Sequence, residues 1–404
     1  MPAGNRTHGP MILLGAVLLI PGGCSQRDQT VRSTRALVQE PVRLDGDAVL
    51  IEVAEAKEGD MNETAVVTVV DDAAVVARPR VRTEEPSPTK PLPAVAPEVR
   101  ARELLLQAAG DDWALLRANA IEALMVRPDL LEPVATLGLL DDNRGVRFVS
   151  LMAIGRCGLC DLSDAVEASL DDPSESVRAA AIYALHACDR VVNPGPLGEM
   201  AFSSDPEVRG NAFMILGLLG EPSAAGLIRA AVGQETGLVD PARVRLIDLQ
   251  AAAALVRLGD LREIDPIRAA LFAPTDQAEL TALSIQLIAQ LNDEGARQML
   301  VRLVEAPTRE SRPPEIRLSA AETIAALGAR DPAPLLRLAS EYVESPRPEI
   351  RAQVASLLGE ADDGASRALL VRLMEDPNPI VRISAAGSTL KLAGDEQTDG
   401  PALH

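Results

Sequence analysis

The chain has 404 residues, with 39 basic against 59 acidic side chains and a formal net charge of −20. That balance leaves no basic field able to track a phosphate backbone, which argues against general nucleic-acid binding. One Trp, two Tyr and four Phe within a 47% hydrophobic composition leave the packing to Ala, Leu and Val. Closely approaching helices pack that way, whereas a β-sandwich favours aromatic and β-branched residues. With only three His and four Cys, a catalytic or metal-binding constellation would have to be built almost wholly from carboxylates.

In chain order, the first feature is the apolar run Met11–Ile20. It is too short to span a bilayer as a mature helix but suits the apolar region of a secretion signal. Pro21-Gly22-Gly23-Cys24-Ser25 follows directly. The arrangement resembles a bacterial lipoprotein signal, in which cleavage leaves a cysteine that carries the lipid chains. That resemblance implies a signal over residues 1–23 and a lipid anchor at Cys24, with export to the periplasm or outer membrane. Ser25 rather than Asp after the cysteine implies outer-membrane sorting in a diderm bacterium. Pro21 stands where the family usually has Leu, and the alternative is an ordinary signal cut nearby with Cys24 unmodified.

Residues 24–97 show no helical periodicity and close with Pro79, Pro86, Pro88, Pro91, Pro93 and Pro97. This is the composition of a semi-extended linker, expected to be mostly disordered. Val49–Val53 and Ala65–Val70 have strand-like composition, and Asp45-Gly46 suits a tight turn. A lone hairpin is marginally stable, so a strand here is expected to order on a partner.

From residue 98 to 394 the chain repeats. Val177-Arg178 with its Ala-rich tail is echoed at Val146-Arg147, Val208-Arg209, Ile316-Arg317, Ile350-Arg351 and Val381-Arg382, and more loosely at Leu116-Arg117. Asp248 and Thr281 hold the same register without the Arg, giving nine units spaced 30 to 39 residues apart. In the third, Val177, Ala181, Ala184, Leu185 and Cys188 share one helical face. Six residues before the reference position stand Asp111, Asp141, Asp172, Ser203, Ser311, Ser345 and Asp376, side chains able to cap a helix. Asp172-Pro173-Ser174-Glu175 resembles a capping box. Gly158, Gly220, Gly259, Gly328 and Gly394 mark the expected helix exits. Second apolar stretches such as Ala224–Val232 and Ala365–Met374 make each unit a helical hairpin, and residues 395–404 form a polar tail.

The Asp-Pro-x-x-x-Val-Arg-x-x-Ala-Ala-x-x-Leu pattern, best kept over Asp172–Leu185 and Asp376–Leu390, resembles the HEAT-repeat superfamily. The short Ala-rich form is similar to phycobilisome-lyase-type repeats. The resemblance implies an all-α, right-handed α-solenoid of about nine repeats. It also implies a ladder in which Asp141, Asp172 and Asp376 bond Arg147, Arg178 and Arg382 between neighbouring units. Arg209, Arg317 and Arg351 stand in the same register, and the irregular units at Asp248 and Thr281 imply a change of curvature.

With the apolar stripe of the motif helix turned to the core, Phe148, Met152, Tyr183, His186 and Met214 point about 150° away. In a HEAT-like fold this is the concave side, so these five residues are the expected surface for a protein or peptide partner. The alternative is that they pack against a neighbouring helix. Cys157 and Cys188 occupy a position held elsewhere by Leu and are expected as small core residues, with a Cys157–Cys160 disulfide as the other option. The function that follows is a non-catalytic, lipid-anchored interaction scaffold without cofactor, metal or small-molecule substrate. A lyase or chaperone-type enzyme on the same fold is the alternative, although His186 is the only histidine of the array and has no evident catalytic partner.

Overall fold

Each motif does fold into a helix, because small residues behind the reference position let neighbouring helices approach closely. The computed structural model describes residues 96–232, 241–305, 312–328, 331 and 333–398, all belonging to one compact unit. Cys24, Ser311, the strand-like segments and nearly all of the expected linker lie outside the described residues.

The first three hairpins are α1 (Pro97–Ala108) with α2 (Ala114–Leu124), α3 (Pro128–Gly138) with α4 (Arg144–Cys157), and α5 (Ser163–Glu167) with α6 (Glu175–Ala187). The next three are α7 (Gly195–Met200) with α8 (Pro206–Leu219), α9 (Ala224–Val232) with α10 (Pro241–Arg257), and α11 (Ile264–Ala270) with α12 (Ala278–Gln290). The last three are α13 (Arg297–Glu305) with α14 (Pro314–Ala326), α15 (Ala333–Tyr342) with α16 (Pro348–Leu358), and α17 (Gly364–Leu373) with α18 (Pro379–Thr398). The second helix of each hairpin carries the motif, and the described architecture is an all-α solenoid.

The motif helices form a continuous inner layer in which each packs on the next from α2 to α18, and α18 then packs on α1 and α2. The array therefore closes on itself. At the junction Gly387 of α18 lies so close to α2 that a Cβ there would stand 2.9 Å from the Ala123 Cβ. An exposed ion pair, Arg100 to Glu375 at 3.8 Å, spans the same junction. Open repeat arrays need polar capping units at both ends. Here the two end faces bury one another instead, and Ala101, Leu105, Ala385 and Ala386 are all completely buried.

Local signals differ from expectation in two ways. Gly158 ends α4 with φ 65° and a left-handed conformation, and Gly220, Gly259 and Gly328 also have positive φ. Gly394 does not, because α18 runs on through it to Thr398. The capping positions also shift. Asp111, Asp141, Asp172 and Asp376 accept from the N–H two residues on, at Trp113, Asn143, Ser174 and Asn378, each at 2.8 Å. They form turns leading into the helix, and the N-cap falls two residues later at Trp113, Asn143 and Ser174. The expected capping box is therefore absent from α6, where Glu175 is the first helical residue and the Ser174 hydroxyl has no partner among the described residues.

Candidate functional site

The carboxylates of Asp141, Asp172 and Asp376 also serve the neighbouring unit. Arg117 grips Asp141 through Nε and Nη2, both at 2.7 Å, while its Nη1 donates to the Asp111 carbonyl at 2.8 Å. Arg147 does the same to Asp172 at 2.7 and 3.0 Å, and Arg351 to Asp376 at 2.7 and 2.8 Å. Bidentate, half-buried pairs of this kind are the strong form of the interaction. The Arg351 bond and backbone donation at Asn378 outweigh burial and hold the Asp376 carboxyl below its usual range. For Asp141 and Asp172 burial is the largest influence and acts upward, but the arginine and backbone bonds prevail and the carboxyls sit low.

Elsewhere the ladder changes chemistry. The unit after Arg178 carries Ser203 at the position held elsewhere by an aspartate, and Arg178 bonds the Asp172 carbonyl at 2.8 Å with Glu175 at 3.5 Å. Arg382, in the last unit, donates to the Asp376 and Pro377 carbonyls. Arg317 pairs with Glu341 at 2.8 Å and lies over the Tyr342 ring at 5.5 Å. Arg209 is 5% exposed and its Nε has no partner among the described residues. Burial lowers its pKa and raises that of the nearby Asp248. A further rung, Arg268 to Asp293 at 2.7 and 2.5 Å, lies outside the motif register and was not legible from it.

The expected partner strip does not present itself as a surface. Met152 is 5% and Tyr183 9% exposed, Phe148 and Met214 are half-buried, and His186 is exposed. The cause is the glycine in the same strip. A Cβ on Gly155 would stand 2.7 Å from the Tyr183 ring and 3.0 Å from the Ala184 Cα, and one on Gly217 would stand 2.7 Å from the Ala254 Cα. These glycines bring adjacent motif helices into near-backbone contact, so Met152 and Tyr183 are buried in the seam between helices and cannot meet a partner.

The cysteines also pair differently from expectation. Cys160 and Cys188 form a disulfide with their Cα atoms 5.3 Å apart. The left-handed turn at Gly158 carries Cys160 away from α4 toward the end of α6. Cys157 remains a thiol that donates to the Met125 carbonyl at 3.5 Å, and burial pushes it up to about 11.

Two other groupings emerge. The first is an apolar edge: Trp113 is 49%, Leu137 73% and Leu140 83% exposed. Trp113 and Leu140 occupy the turns before α2 and α4, and Arg117 fastens those turns together by bonding Asp111 and Asp141. The second grouping is polar and shares a register position of the motif helices. Nine residues beyond their reference positions stand Arg156, Arg257, Gln290, Glu360 and Lys391, and one turn earlier Glu122, Tyr183 and Glu322. Arg257 is influenced by Arg156, although α4 and α10 belong to units three apart, and Glu322 by Lys391 two units away. Arg257 donates to Gln290 at 2.9 Å, and Lys391 pairs with Glu360. Among the described residues no group of three or more His, Cys, Asp or Glu side chains is placed to hold a metal ion. Nor is any described helix long and apolar enough to cross a membrane.

Residues 335–400 match the family model of HEAT repeats, a stretch that includes α16 and α18. No curated protein matches the sequence. Among solved structures, human deoxyhypusine hydroxylase in complex with glycerol is similar at 17% identity and a TM-score of 0.33, over 66% of this chain and 96% of that one. Kap121p is similar at 11% identity and a TM-score of 0.29, over 76% of this chain and 43% of that one. A mutant Kap121p gives 12% identity and a TM-score of 0.30, over 73% and 37%. The chain thus spans less than half the length of Kap121p. The matched stretch is similar to HEAT repeats, and the described residues as a whole form an all-α solenoid of helical hairpins.

Proposed function

We propose that this chain is a non-catalytic scaffold that binds a protein partner at the cell envelope, exported and held there by lipid on Cys24. The observation that carries the binding reading is the apolar edge of the first two units. Trp113 and Leu140 leave large apolar side chains in water on turns that Arg117 and Asp141 make rigid, and Leu137 does so from the last turn of α3. A pre-organised aromatic and aliphatic cluster of this sort is the usual centre of a protein interface. On the inner side Phe148, Met214 and His186 keep accessible surface, whereas Met152 and Tyr183 are set aside as contact residues. Export is supported by the Cys160–Cys188 disulfide, since such bonds persist in oxidising compartments. The lipid anchor rests on the Met11–Ile20 run and the small residues before Cys24.

The test is affinity capture from membranes with the full chain, alongside Cys24→Ala and a Trp113→Ser, Leu140→Ser double variant. The double variant should fold normally and lose the captured partner, and Cys24→Ala should move the protein into the soluble fraction. Identical partners at identical yield from the double variant would refute the edge. Membrane retention of Cys24→Ala would refute the anchor.

A further inference from the structure

Along the turns that lead into α2, α4 and α6, the arginines are all taken and several carboxylates are not. Arg117 donates to the Asp111 carbonyl at 2.8 Å and to the Asp141 carboxylate at 2.7 Å, so one guanidinium holds the first two turns together. Arg147 joins the second turn to the third in the same way, through the Asp141 carbonyl and the Asp172 carboxylate, both at 2.7 Å. Beside these gripped residues stand Asp112, Asp142 and Asp171, all exposed. Asp112 and Asp142 offer the ladder arginines only their carbonyls, and none of the three carboxylates has an ion-pair partner among the described residues. Arg144, two residues beyond Asp142, is taken by Glu207 at 2.9 Å. Trp113 follows Asp112 directly, and Leu140 stands two residues before Asp142. Leu140 N–H donates to the Leu137 carbonyl at 3.0 Å, which keeps those two exposed leucines together. Each of the first two turns therefore joins a large apolar side chain to an uncompensated negative charge.

Resting on the binding role given above to this edge, we propose that its partner is a cationic, aliphatic protein segment in the polyproline II conformation, with Arg or Lys at every third residue. The face of Trp113 beside the Asp112 carboxylate suits a guanidinium, which stacks on the ring while its charge is neutralised. Leu137 and Leu140 take the aliphatic side chains that follow. The spacing comes from the array itself. Packed helices stand about 8–10 Å apart, and the ladder arginines hold successive turns at that interval. A polyproline II helix turns once in three residues, rising about 9 Å, so cations three residues apart lie on one side and in step with Asp112, Asp142 and Asp171. A β-strand would send such residues to opposite faces, and an α-helix repeats about every 5.4 Å. A second copy of this chain does not fit, because a net charge of −20 sets two like-charged edges against each other.

Trp113 is the one tryptophan of the chain, so its fluorescence in the folded full chain reads the edge directly. The probes are an acetylated and amidated peptide of three Arg-Pro-Leu repeats, its counterparts with Gln or Glu in place of Arg, and a peptide of the same composition with its arginines in one block. The Arg repeat should shift the Trp113 emission saturably to shorter wavelength, and the block peptide should bind more weakly. The Gln and Glu peptides should leave the emission unchanged. Asp112→Asn and Asp142→Asn should each weaken binding of the Arg repeat about two- to fivefold, as loss of an exposed ion pair does, in proteins as heat-stable as the parent because these carboxylates hold no structural bond. Binding of the Gln or Glu peptide as tight as that of the Arg repeat would overturn the inference. So would equal binding of the block peptide, unaltered affinity in the Asp112→Asn, Asp142→Asn double variant, or no shift with any probe. The edge itself is judged separately by capture. If the aspartate double variant captures its partner undiminished while the Trp113→Ser, Leu140→Ser variant loses it, the edge binds without cations and this inference falls alone.

Discussion

Glu322, on the motif helix α14, offers the sharpest test of a desolvated carboxyl within the array. Burial is the main reason its carboxyl is pushed up from an ordinary 4.5 to about 8, with the Glu360 charge adding to this and Lys391 opposing it. Because the folded state keeps a proton that the unfolded chain releases, stability must fall as pH rises from 4.5 through 8. At 1.36 kcal/mol per pH unit, the loss attributable to Glu322 is about 3 kcal/mol at pH 7. Glu322→Gln keeps the shape and removes the titration. It should match the parent protein near pH 4.5 and exceed it by about 3 kcal/mol at pH 7. Urea denaturation at pH 4.5, 7 and 8.5 measures the difference. A constant gap across the three pH values would refute the reasoning, because a packing effect alone carries no pH dependence.

Three further outcomes follow from the same structure. Arg351→Met should destabilise by about 2–3 kcal/mol at pH 7, since it strands a carboxylate that is 8% exposed. Asp376 sits below its ordinary 3.8, so the gap should persist above that value and close as pH falls through the lower folded one. Gly387→Val should overpack the α18–α2 contact, cost about 1–3 kcal/mol, and lower amide protection in α1 and α18 more than in α8. Equal loss in all three helices would contradict ring closure. Replacing Cys160 and Cys188 by Ser opens a loop whose ends are 28 residues apart and should cost about 3.5 kcal/mol in a chemical melt. A stability unchanged by the double replacement would show that the disulfide does not form.

The repeat was legible because helical period, small residues and reference arginines are all local properties of the chain. Val177, Ala181, Ala184 and Leu185 share one face by sequence and are buried together in the structure. The partner strip was misread for a physical reason. Periodicity shows that Tyr183 and Met152 point away from the hairpin core, but not that glycines at 155 and 217 draw the next helix over that face. The aspartates were misassigned as caps because a carboxylate two residues before an N-cap has the same local sequence as the cap itself. Its arginine partner lies 24 or 25 residues away, for instance Arg117 for Asp141 and Arg147 for Asp172. Trp113 and Leu140 carried a readable signal, large apolar residues in turns, but pairing them required knowing that Arg117 joins those turns.

Ring closure was the least legible feature, since it depends on nine small rotations adding up, and it redistributes stability in a way the sequence order hides. The connected core runs from α14 through α18, across the meeting of the chain ends into α1, and on to α10. Buried residues of α11, α12 and α13, such as Ile267, Leu287 and Leu300, lie outside it. That stretch follows Asp248 and contains Thr281, the two reference positions where the ladder arginine is missing. Local opening follows local contact density, so the ring should open first around α11 to α13, in mid-chain, rather than where the two ends meet. Native-state hydrogen exchange measures this directly, with lower protection expected for amides of α12 than for those of α2 and the first half of α18. The reverse order would show that the chain ends are the weak joint and that the continuous core across them has been overvalued.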